Sequence, residues 1–293
     1  MKSFYTILAS LASASVATTS ATYSSTAHDA NGNAVAAITH KLPISMFRSS
    51  SASLQKRYTM NGTNIISYSW CGATQVKPPS GTFKDVKSTF KIPSYSTDNV
   101  PGGPGPDGPW LLAQWVAIDG LTADSPDCPS FVNAGIGHLK NYQNVTDKVY
   151  AFANFYPDPY IYFIDVPAKI GDIVHVKLSI DSNATATSVI TNLSQGGSVS
   201  TFINGTGAGT LCGGQSVQWV LEDSFSGPSV FPDFTETHFT DCTADTTTGR
   251  RVTLRNSTLV YGQNHDGIIA CEPTVLHHSS MKMDWVALEG MTV

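Results

Sequence analysis

Trp115-Val116-Ala117-Ile118-Asp119-Gly120 is a short apolar run that ends in an Asp-Gly pair. A run of this kind predicts a buried strand that stops at a sharp turn. A second run, Val217–Asp223, has the same apolar character and ends in two acidic residues. We expect these two strands to face each other and to line one groove together with Phe131–His138.

Short strands continue through the chain from Tyr58 onward. In the stretch 83–93, Val86 and Phe90 alternate with Lys87 and Lys91, which is typical of a strand with one solvated face. Further strands are predicted at residues 149–157, 173–180, 186–192, 199–203, 218–223, 238–242, 252–260 and 281–288. No long stretch has helical periodicity, so the pattern predicts an all-β sandwich or barrel.

Residues 1–22 have the character of a secretory signal peptide. Lys2 precedes an apolar stretch from Phe4 to Ala17, and small residues follow it. The stretch is too short to span a membrane, and no later apolar run reaches the ~18 residues that a spanning helix needs. We therefore expect a soluble, secreted, extracellular protein that does not enter a membrane.

A propeptide is predicted between the signal and the main domain. Residues 23–57 are rich in Ser, Ala, Thr and Asn, contain no Trp or Cys, and end in the dibasic pair Lys56-Arg57. We interpret the pair as a processing site at the end of a weakly structured segment, so that the chain is made as a zymogen. The mature domain is then residues 58–293, which is long enough for one large β-domain with its own core.

Charge and glycosylation sequons agree with export. Charged residues make up 13% of the chain and the net charge is −5, which argues against a nucleic-acid partner because such proteins carry a basic face. Six Asn-x-Ser/Thr sequons predict glycosylated surface loops. They start at Asn61, Asn144, Asn183, Asn192, Asn204 and Asn256.

Five cysteines leave one thiol unpaired in an oxidising compartment. Cys128 follows the first apolar strand and Cys212 precedes the second, so we expect a Cys128–Cys212 disulfide. Cys242–Cys271 is the remaining pair. Cys71, beside Trp70, is then expected to be free and buried.

Motifs of the common hydrolases are absent from the sequence. There is no Gly-x-Ser-x-Gly elbow, no His-Glu-x-x-His, no phosphate loop and no Cys/His spacing that would bind a metal, so we predict no metal and no cofactor. The histidines are scattered. The acidic residues near the predicted groove are Asp119, Glu222 and Asp223. Asp119 sits in an Ile-Asp-Gly turn, where a carboxylate normally accepts backbone N–H bonds.

Several segments in order resemble the eqolisins, the fungal glutamic peptidases. The segments are Trp115–Gly120, Phe152–Pro157, Leu211-Cys212, Gln218–Asp223 and Phe239–Cys242. The resemblance covers most of the region from Ser69 to the end of the chain. It implies two stacked antiparallel sheets, the β-sandwich of concanavalin A-like lectins and glucanases. It also implies cleavage of proteins at acid pH by a glutamate and a glutamine without a cofactor.

Both positions of that catalytic pair are substituted in this chain. By the resemblance, Gln218 stands at the position of the glutamate and Asn133 at the position of the glutamine. Gly137 replaces an acidic residue expected four positions later, while Trp115 and Tyr156 are retained. An amide cannot serve as a base, and loss of a general base typically costs ~10²–10⁴ in rate. Asn133 is also one methylene short of a glutamine.

Three functions follow as alternatives. The first is a secreted member of this family with lost or much reduced endopeptidase activity, which binds a polypeptide or another extended polymer in the groove as a monomer. The substrate-binding candidates are Trp115, Asp119, Tyr156 and Trp219. The second is an active acid endopeptidase that uses Glu222 or Asp119 as its carboxylate. The third is a glycan-binding sandwich protein.

Overall fold

A computed structural model describes residues 20–43, 58–61, 64–98, 100, 110–120, 130–142, 145–158, 160–223, 231–264 and 267–286. These residues form strands, turns and loops, and no helix occurs among them. Accordingly, no helix within these ranges could cross a membrane. The strands are β1 Thr22–His28, β2 Ala34–Val35, β3 Thr39–Pro43, β4 Tyr58–Asn61, β5 Asn64–Ser67, β6 Trp70–Val76, β7 Phe83–Lys91, β8 Tyr95–Ser96, β9 Trp110–Asp119, β10 Phe131–Tyr142, β11 Val145–Tyr156, β12 Tyr160–Asp165, β13 Ile173–Ser182, β14 Thr185–Asn192, β15 Ser198–Asn204, β16 Ser216–Asp223, β17 Asp233–Phe234, β18 Thr237–Thr246, β19 Arg251–Thr253, β20 Thr258–Gln263, β21 Ile269–His277 and β22 Ser280–Trp285.

The strands build two stacked sheets. The front sheet has the order β20–β6–β16–β9–β10–β11–β12–β3, and its neighbours pair antiparallel. The back sheet has the order β22–β18–β7–β13–β14–β15–β1–β2, also antiparallel. The β20–β21–β22 connection joins the two sheets at one side. The predicted all-β sandwich is confirmed.

The core lies between the two sheets. Alternate residues of β9, such as Val116 and Ile118, point into it from the front sheet. Val176 of β13 and Phe239 of β18 meet them from the back sheet. Because strand side chains alternate between faces, the intervening residues of β9 must point to the outer face of the front sheet. These residues, which include Trp115 and Ala117, form a second, smaller apolar cluster.

The predicted disulfides need correction. Cys71 is not free but bonds to Cys271, whose Cα lies 6.0 Å away. The two cysteines lie on β6 and β21, which pair with successive parts of the same edge of β20: Gly72, next to Cys71, is opposite Val260, and Cys271 is opposite Gly262. Cys242 lies on β18 and is a buried free thiol, so the predicted Cys242–Cys271 pair is wrong. Burial raises the pKa of the Cys242 thiol to about 12, which keeps it protonated and unreactive.

The other predicted disulfide falls partly outside the described residues. Cys212 is disulfide-bonded. Its predicted partner, Cys128, is not among the residues that the structure describes, and neither is the dibasic pair Lys56-Arg57.

The segment predicted as a weakly structured propeptide is ordered over residues 22–43. It contains β1, β2 and β3, which pair with strands of both sheets. Its Ser- and Thr-rich composition led to the wrong expectation of little structure. The polar side chains reflect the exposed face of these strands, whereas the strands form through backbone pairing, which composition does not reveal. Processing at Lys56-Arg57 remains a prediction.

The glycosylation sequons differ in their surroundings. Asn183 and Asn256 are exposed, and Asn204 is half-buried. Asn192 is only 6% exposed, and its Nδ2 donates to the Pro167 carbonyl and to Asp172 Oδ2. A glycan on this nitrogen does not fit the folded chain. The side chain of Asn61 and all of Asn144 lie outside the described part of the molecule.

Candidate functional site

Strand β9 lies between β16 and β10, and its pairing with both sets which of their residues stand side by side. Ala117 of β9 is directly opposite Gln218 of β16 on one side and Asn133 of β10 on the other. Directly opposed residues of antiparallel strands project from the same face. Gln218 and Asn133 therefore stand on one face of the front sheet, separated by the small side chain of Ala117.

The same alignment continues across the neighbouring strands. Thr74 of β6 is opposite Gln218, and Asn154 of β11 is opposite Asn133. Residues Thr74, Gln218, Ala117, Asn133 and Asn154 thus form one line across five strands, which we call the amide row. Sequence analysis missed Asn154, although it lies inside the segment Phe152–Pro157. Only strand register reveals that it stands beside Asn133.

Gln218 is fixed by two hydrogen bonds. Its Nε2 donates to the backbone carbonyl of Asp119 at 2.7 Å and is 3.2 Å from the Ser216 hydroxyl oxygen. Since the carbonyl can only accept, the amide nitrogen must be on that side. The side chain is fully buried, and no protein group donates to its Oε1 within the described chain. Gln218 therefore offers a hydrogen-bond acceptor, and it can neither take up nor release a proton.

Asn133 and Asn154 share this feature. Each is 2% exposed, and the side-chain oxygen of each is buried without a donor among the described residues. A buried amide oxygen without a donor costs roughly 1–3 kcal/mol. The amide row therefore holds three acceptors whose hydrogen bonds the described protein groups do not supply. Such groups are rare in folded proteins and often mark a functional position.

Aromatic rings lie on both sides of the amide row. Trp115 is two residues from Ala117 on β9, and its ring meets Trp70 edge-on at 5.4 Å. Phe131 and Tyr156 are opposed on β10 and β11 beyond the other side of the row, and their rings stack at 5.3 Å. Tyr156 is the partly exposed member of this group, whereas Trp115 and Phe131 are buried.

A glycine allows β10 to lie close to the backbone of β9 at Trp115. Gly135 is directly opposite Trp115, and a Cβ added there would lie 2.0 Å from the Gln114 carbonyl oxygen and 2.7 Å from the Cα of Trp115. Any larger residue would force the two strands apart, so the backbone contact requires glycine here. Gly137, which stands where an acid was expected, is opposite Ala113 on one side and Tyr150 on the other.

Glu222 lies on the same face as Gln218 but is occupied elsewhere. Its Oε2 accepts a hydrogen bond from Nε1 of Trp115 at 2.8 Å. Four residues along a strand separate the Cα atoms of Gln218 and Glu222 by ~13 Å. The carboxylate is 2% exposed and orients the indole. Its geometry fits a positioning role.

Asp119 ends β9 in a left-handed backbone conformation with a φ of 69°. Its Oδ1 accepts from the Gln215 backbone N–H at 2.6 Å and its Oδ2 from that of Gly214 at 3.1 Å. Burial raises the pKa of this carboxyl group, and the backbone hydrogen bonds oppose that rise in part. The carboxylate ties the end of β9 to the chain that enters β16, as its Ile-Asp-Gly turn predicted.

Trp219 is not part of this face. It lies one residue from Gln218, points into the core between the sheets, and donates from Nε1 to the Lys87 carbonyl at 2.9 Å. Its prediction as a substrate-binding residue is wrong, because strand alternation sends it to the opposite side. The two apolar strands also do not face each other. They are hydrogen-bonded neighbours within one sheet.

No group of three or more His, Cys, Asp or Glu side chains suited to a metal is found among the described residues. The amide oxygens of the row can accept hydrogen bonds from a ligand, and the aromatic rings beside them offer apolar surface.

A family model for the Peptidase A4 family matches residues 68–285, which include every strand of the amide row. The chain belongs to the Peptidase A4 family.

Curated and solved relatives agree with this assignment. Aspergillopepsin-2 of Aspergillus niger is 27% identical over 231 residues, which cover 74% of this chain and 78% of the relative. A scytalido-glutamic peptidase solved with a transition-state analogue inhibitor is 20% identical, with a TM-score of 0.60 over 75% of this chain and 98% of that one.

A third relative is a member of the eqolisin family, SCP-B, solved with the tripeptide Ala-Ile-His. It is 19% identical, with a TM-score of 0.55 over 75% of this chain and 98% of its own. At these identities the two solved structures show that the A4 chain shares the eqolisin fold. The resemblance read from the sequence is thereby confirmed at the level of family and fold.

Proposed function

We propose that this A4-family protein is secreted and binds extended polypeptides along the amide row, with its endopeptidase activity lost or strongly reduced. The observation that carries the proposal is the trio of Gln218, Asn133 and Asn154. These three amide side chains stand in one line on one face, and their buried oxygens have no donor among the residues that the structure describes.

Peptide backbone suits these acceptors. An extended peptide presents N–H groups at regular intervals, and each can donate to an amide oxygen. The rings on either side, Trp115 and Tyr156, offer apolar surface for the side chains of the ligand. Solved relatives in this family hold peptide-like ligands, including a tripeptide, which supports the same ligand class here.

Weak catalysis follows from the chemistry of the row. Hydrolysis of an amide needs a group that takes a proton from water and returns one to the leaving nitrogen. Gln218 cannot do either, because its nitrogen is held by the Asp119 carbonyl and its oxygen is not basic. Of the two carboxylates proposed as replacements, Glu222 is bonded to the Trp115 indole and Asp119 to backbone N–H groups.

Burial of the row affects the rate of binding. Gln218, Asn133 and Trp115 are each at most 2% exposed, so a ligand reaches them only after covering groups move. A conformational step of this kind lowers association rates below the 10⁵–10⁷ M⁻¹s⁻¹ that is typical of preformed protein sites.

The decisive experiment incubates the purified chain with denatured casein at a series of acidic pH values, because burial raises the pKa of a glutamate at position 218, and analyses fragments by mass spectrometry. We expect no cleavage by the parent and measurable cleavage by the double variant Gln218→Glu/Asn133→Gln, which restores the acid and the longer amide. Isothermal titration with a library of unstructured peptides should detect binding to the parent and a loss of at least about tenfold with Asn133→Ala.

Two outcomes would contradict the proposal. Cleavage by the parent that disappears in Glu222→Gln would establish the active-enzyme alternative. Binding on a glycan array without binding to peptides would establish the glycan alternative.

A further inference from the structure

The N-terminal residues 23–43, here called the leader segment, occupy a free edge on each of the two sheets. β1 pairs with β15 over seven residue positions, from Thr22 opposite Asn204 to His28 opposite Ser198. β3 pairs with β12 over five positions. Without the leader segment, β12 and β15 would be the outermost strands on this side of the sandwich, and each would expose unpaired backbone groups.

Partly buried contacts anchor the start of the leader segment. The Phe155 backbone N–H donates to the Tyr23 hydroxyl at 3.1 Å. The Tyr23 ring also stacks on Tyr162 of β12 at 4.7 Å. Because β1 belongs to the back sheet and β12 to the front sheet, Tyr23 connects the two layers.

The leader segment also forms one wall of a cavity between the sheets, to which it contributes Ala27, Val35 and Ala36. The cavity has a volume of about 400 Å³. The rest of its apolar lining comes from the loop residues 166–168 and from Ile136, Val174 and Ile190. Ile136, Val174 and Ile190 are at most 4% exposed. Departure of the leader segment would expose more of this apolar surface to water.

The amide row is not covered by these contacts. β3 is separated from β10 by β12 and β11, so it lies three strand spacings, or ~14 Å, from Asn133. The contacts of Tyr23 reach Phe155 and Tyr162 and not Trp115 or Gln218. A leader segment held in this way has no need to leave for the row to bind a ligand.

We propose that residues 23–43 act as a built-in strand-donating subunit that stays bound to β12 and β15 when the chain is cut between residues 43 and 58. Backbone pairing supplies most of the affinity and Tyr23 supplies specificity, as in other cases of strand addition to a sheet edge. Its role is to cover both edges and the cavity. The inference is independent of whether the amide row binds peptides or cleaves them.

The test places a recognition sequence for a site-specific protease after Ser50 of the full chain. After complete digestion, shown by two bands on a denaturing gel, native mass spectrometry should still record one species with the mass of both pieces. The fluorescence of a dye that binds exposed apolar surface should stay unchanged. Separate elution of the leader segment under native conditions would overturn the proposal.

A matched pair of variants tests the anchor. In the cut protein, Tyr23→Ala should raise the dissociation rate of the leader segment at least about tenfold, because a partly buried hydrogen bond and a ring stack are lost. Ser24→Ala, at an exposed position of the same strand, should leave the rate unchanged. Equal rates for the two variants would show that Tyr23 is not the anchor. Dye binding should rise as the leader segment departs, and constant dye fluorescence would contradict its role in covering the cavity.

Discussion

The indole Nε1 of Trp115 donates to Oε2 of Glu222 at 2.8 Å across two neighbouring strands. Both residues are buried beside the amide row. The bond gives this carboxylate, which lies on the same face as Gln218, a structural role. Its oxygen already has a structural partner, and its Cα is ~13 Å along the strand from that of Gln218.

Substitution of Glu222 should separate this structural role from a role of its charge. We expect Glu222→Ala to lower the free energy of unfolding by about 2–3 kcal/mol, because the buried indole N–H loses its acceptor. Glu222→Gln keeps an acceptor and should cost about 1 kcal/mol or less. Urea unfolding at pH 7 measures both values, with the exposed Glu272→Gln as the control. An equal cost for the Ala and Gln variants would show that the charge, and not the acceptor, is what the fold requires.

A carboxylate introduced at position 218 should make stability depend on pH. Burial disfavours the charged form, so the pKa of the new acid in Gln218→Glu should be raised above the ~4.3 of an exposed glutamate. A raised folded-state pKa gives stability that is present below ~4.3 and is lost as the pH rises through the folded pKa. The protonated acid can still donate to the Asp119 carbonyl, as the amide now does.

The measurement for this variant is thermal unfolding at pH 4 and at pH 7. The melting temperature should be close to that of the parent at pH 4 and several degrees lower at pH 7. Gln263→Glu, at a partly exposed position on β20, is the matched control and should show little difference between the two pH values. A pH-independent effect at position 218 would mean that the site admits water.

Thiol chemistry checks the corrected disulfide. Cys242 should resist a maleimide in the native state and react after denaturation, because burial shields it and raises its pKa to about 12. Peptide mapping under non-reducing conditions should find Cys71 linked to Cys271. The double variant Cys71→Ser/Cys271→Ser should lose about 2–5 kcal/mol of stability. Cys242→Ala should lose much less, and recovery of a Cys242–Cys271 peptide would refute the assignment.

His138 should make the fold less stable in mildly acidic solution. Burial lowers the pKa of its imidazole, and the hydrogen bond with Asp147 opposes this only in part. The unfolded chain therefore takes up the proton first, near pH 6.5, and stability falls as the pH drops below that value towards the folded pKa. One such group contributes at most about 1.4 kcal/mol per pH unit.

The comparison needed is the free energy of unfolding at pH 7.5 and at pH 5.5 for the parent and for His138→Gln. The variant should show a smaller decrease between the two conditions. His277→Gln, on an exposed part of β21, should behave like the parent. His175, whose pKa burial also lowers, acts in the same direction, so part of the decrease should remain in the variant. An unchanged decrease in His138→Gln would assign the whole effect to other groups.

The sequence alone determined the fold class and the family, and it led to the prediction that Gln218 and Asn133 stand at the positions of the catalytic pair. An apolar run such as Trp115–Gly120 and the alternation around Val86 and Phe90 both indicate strands. The alternation of side chains along a strand is a local property, so it can be read directly from the sequence. Gln218 and Asn133 were found because they sit inside such runs at recognisable positions.

Only the tertiary structure decided which side chains share a face and which edges are covered. Strand register places Asn154 in the amide row, turns Trp219 into the core, and brings Cys71 next to Cys271. This register is fixed by contacts between distant parts of the chain. The leader segment shows the same limit. Its polar composition indicated little structure, yet its backbone completes both sheets, since pairing at a sheet edge depends on the strand beside it and hardly on the side chains that face water.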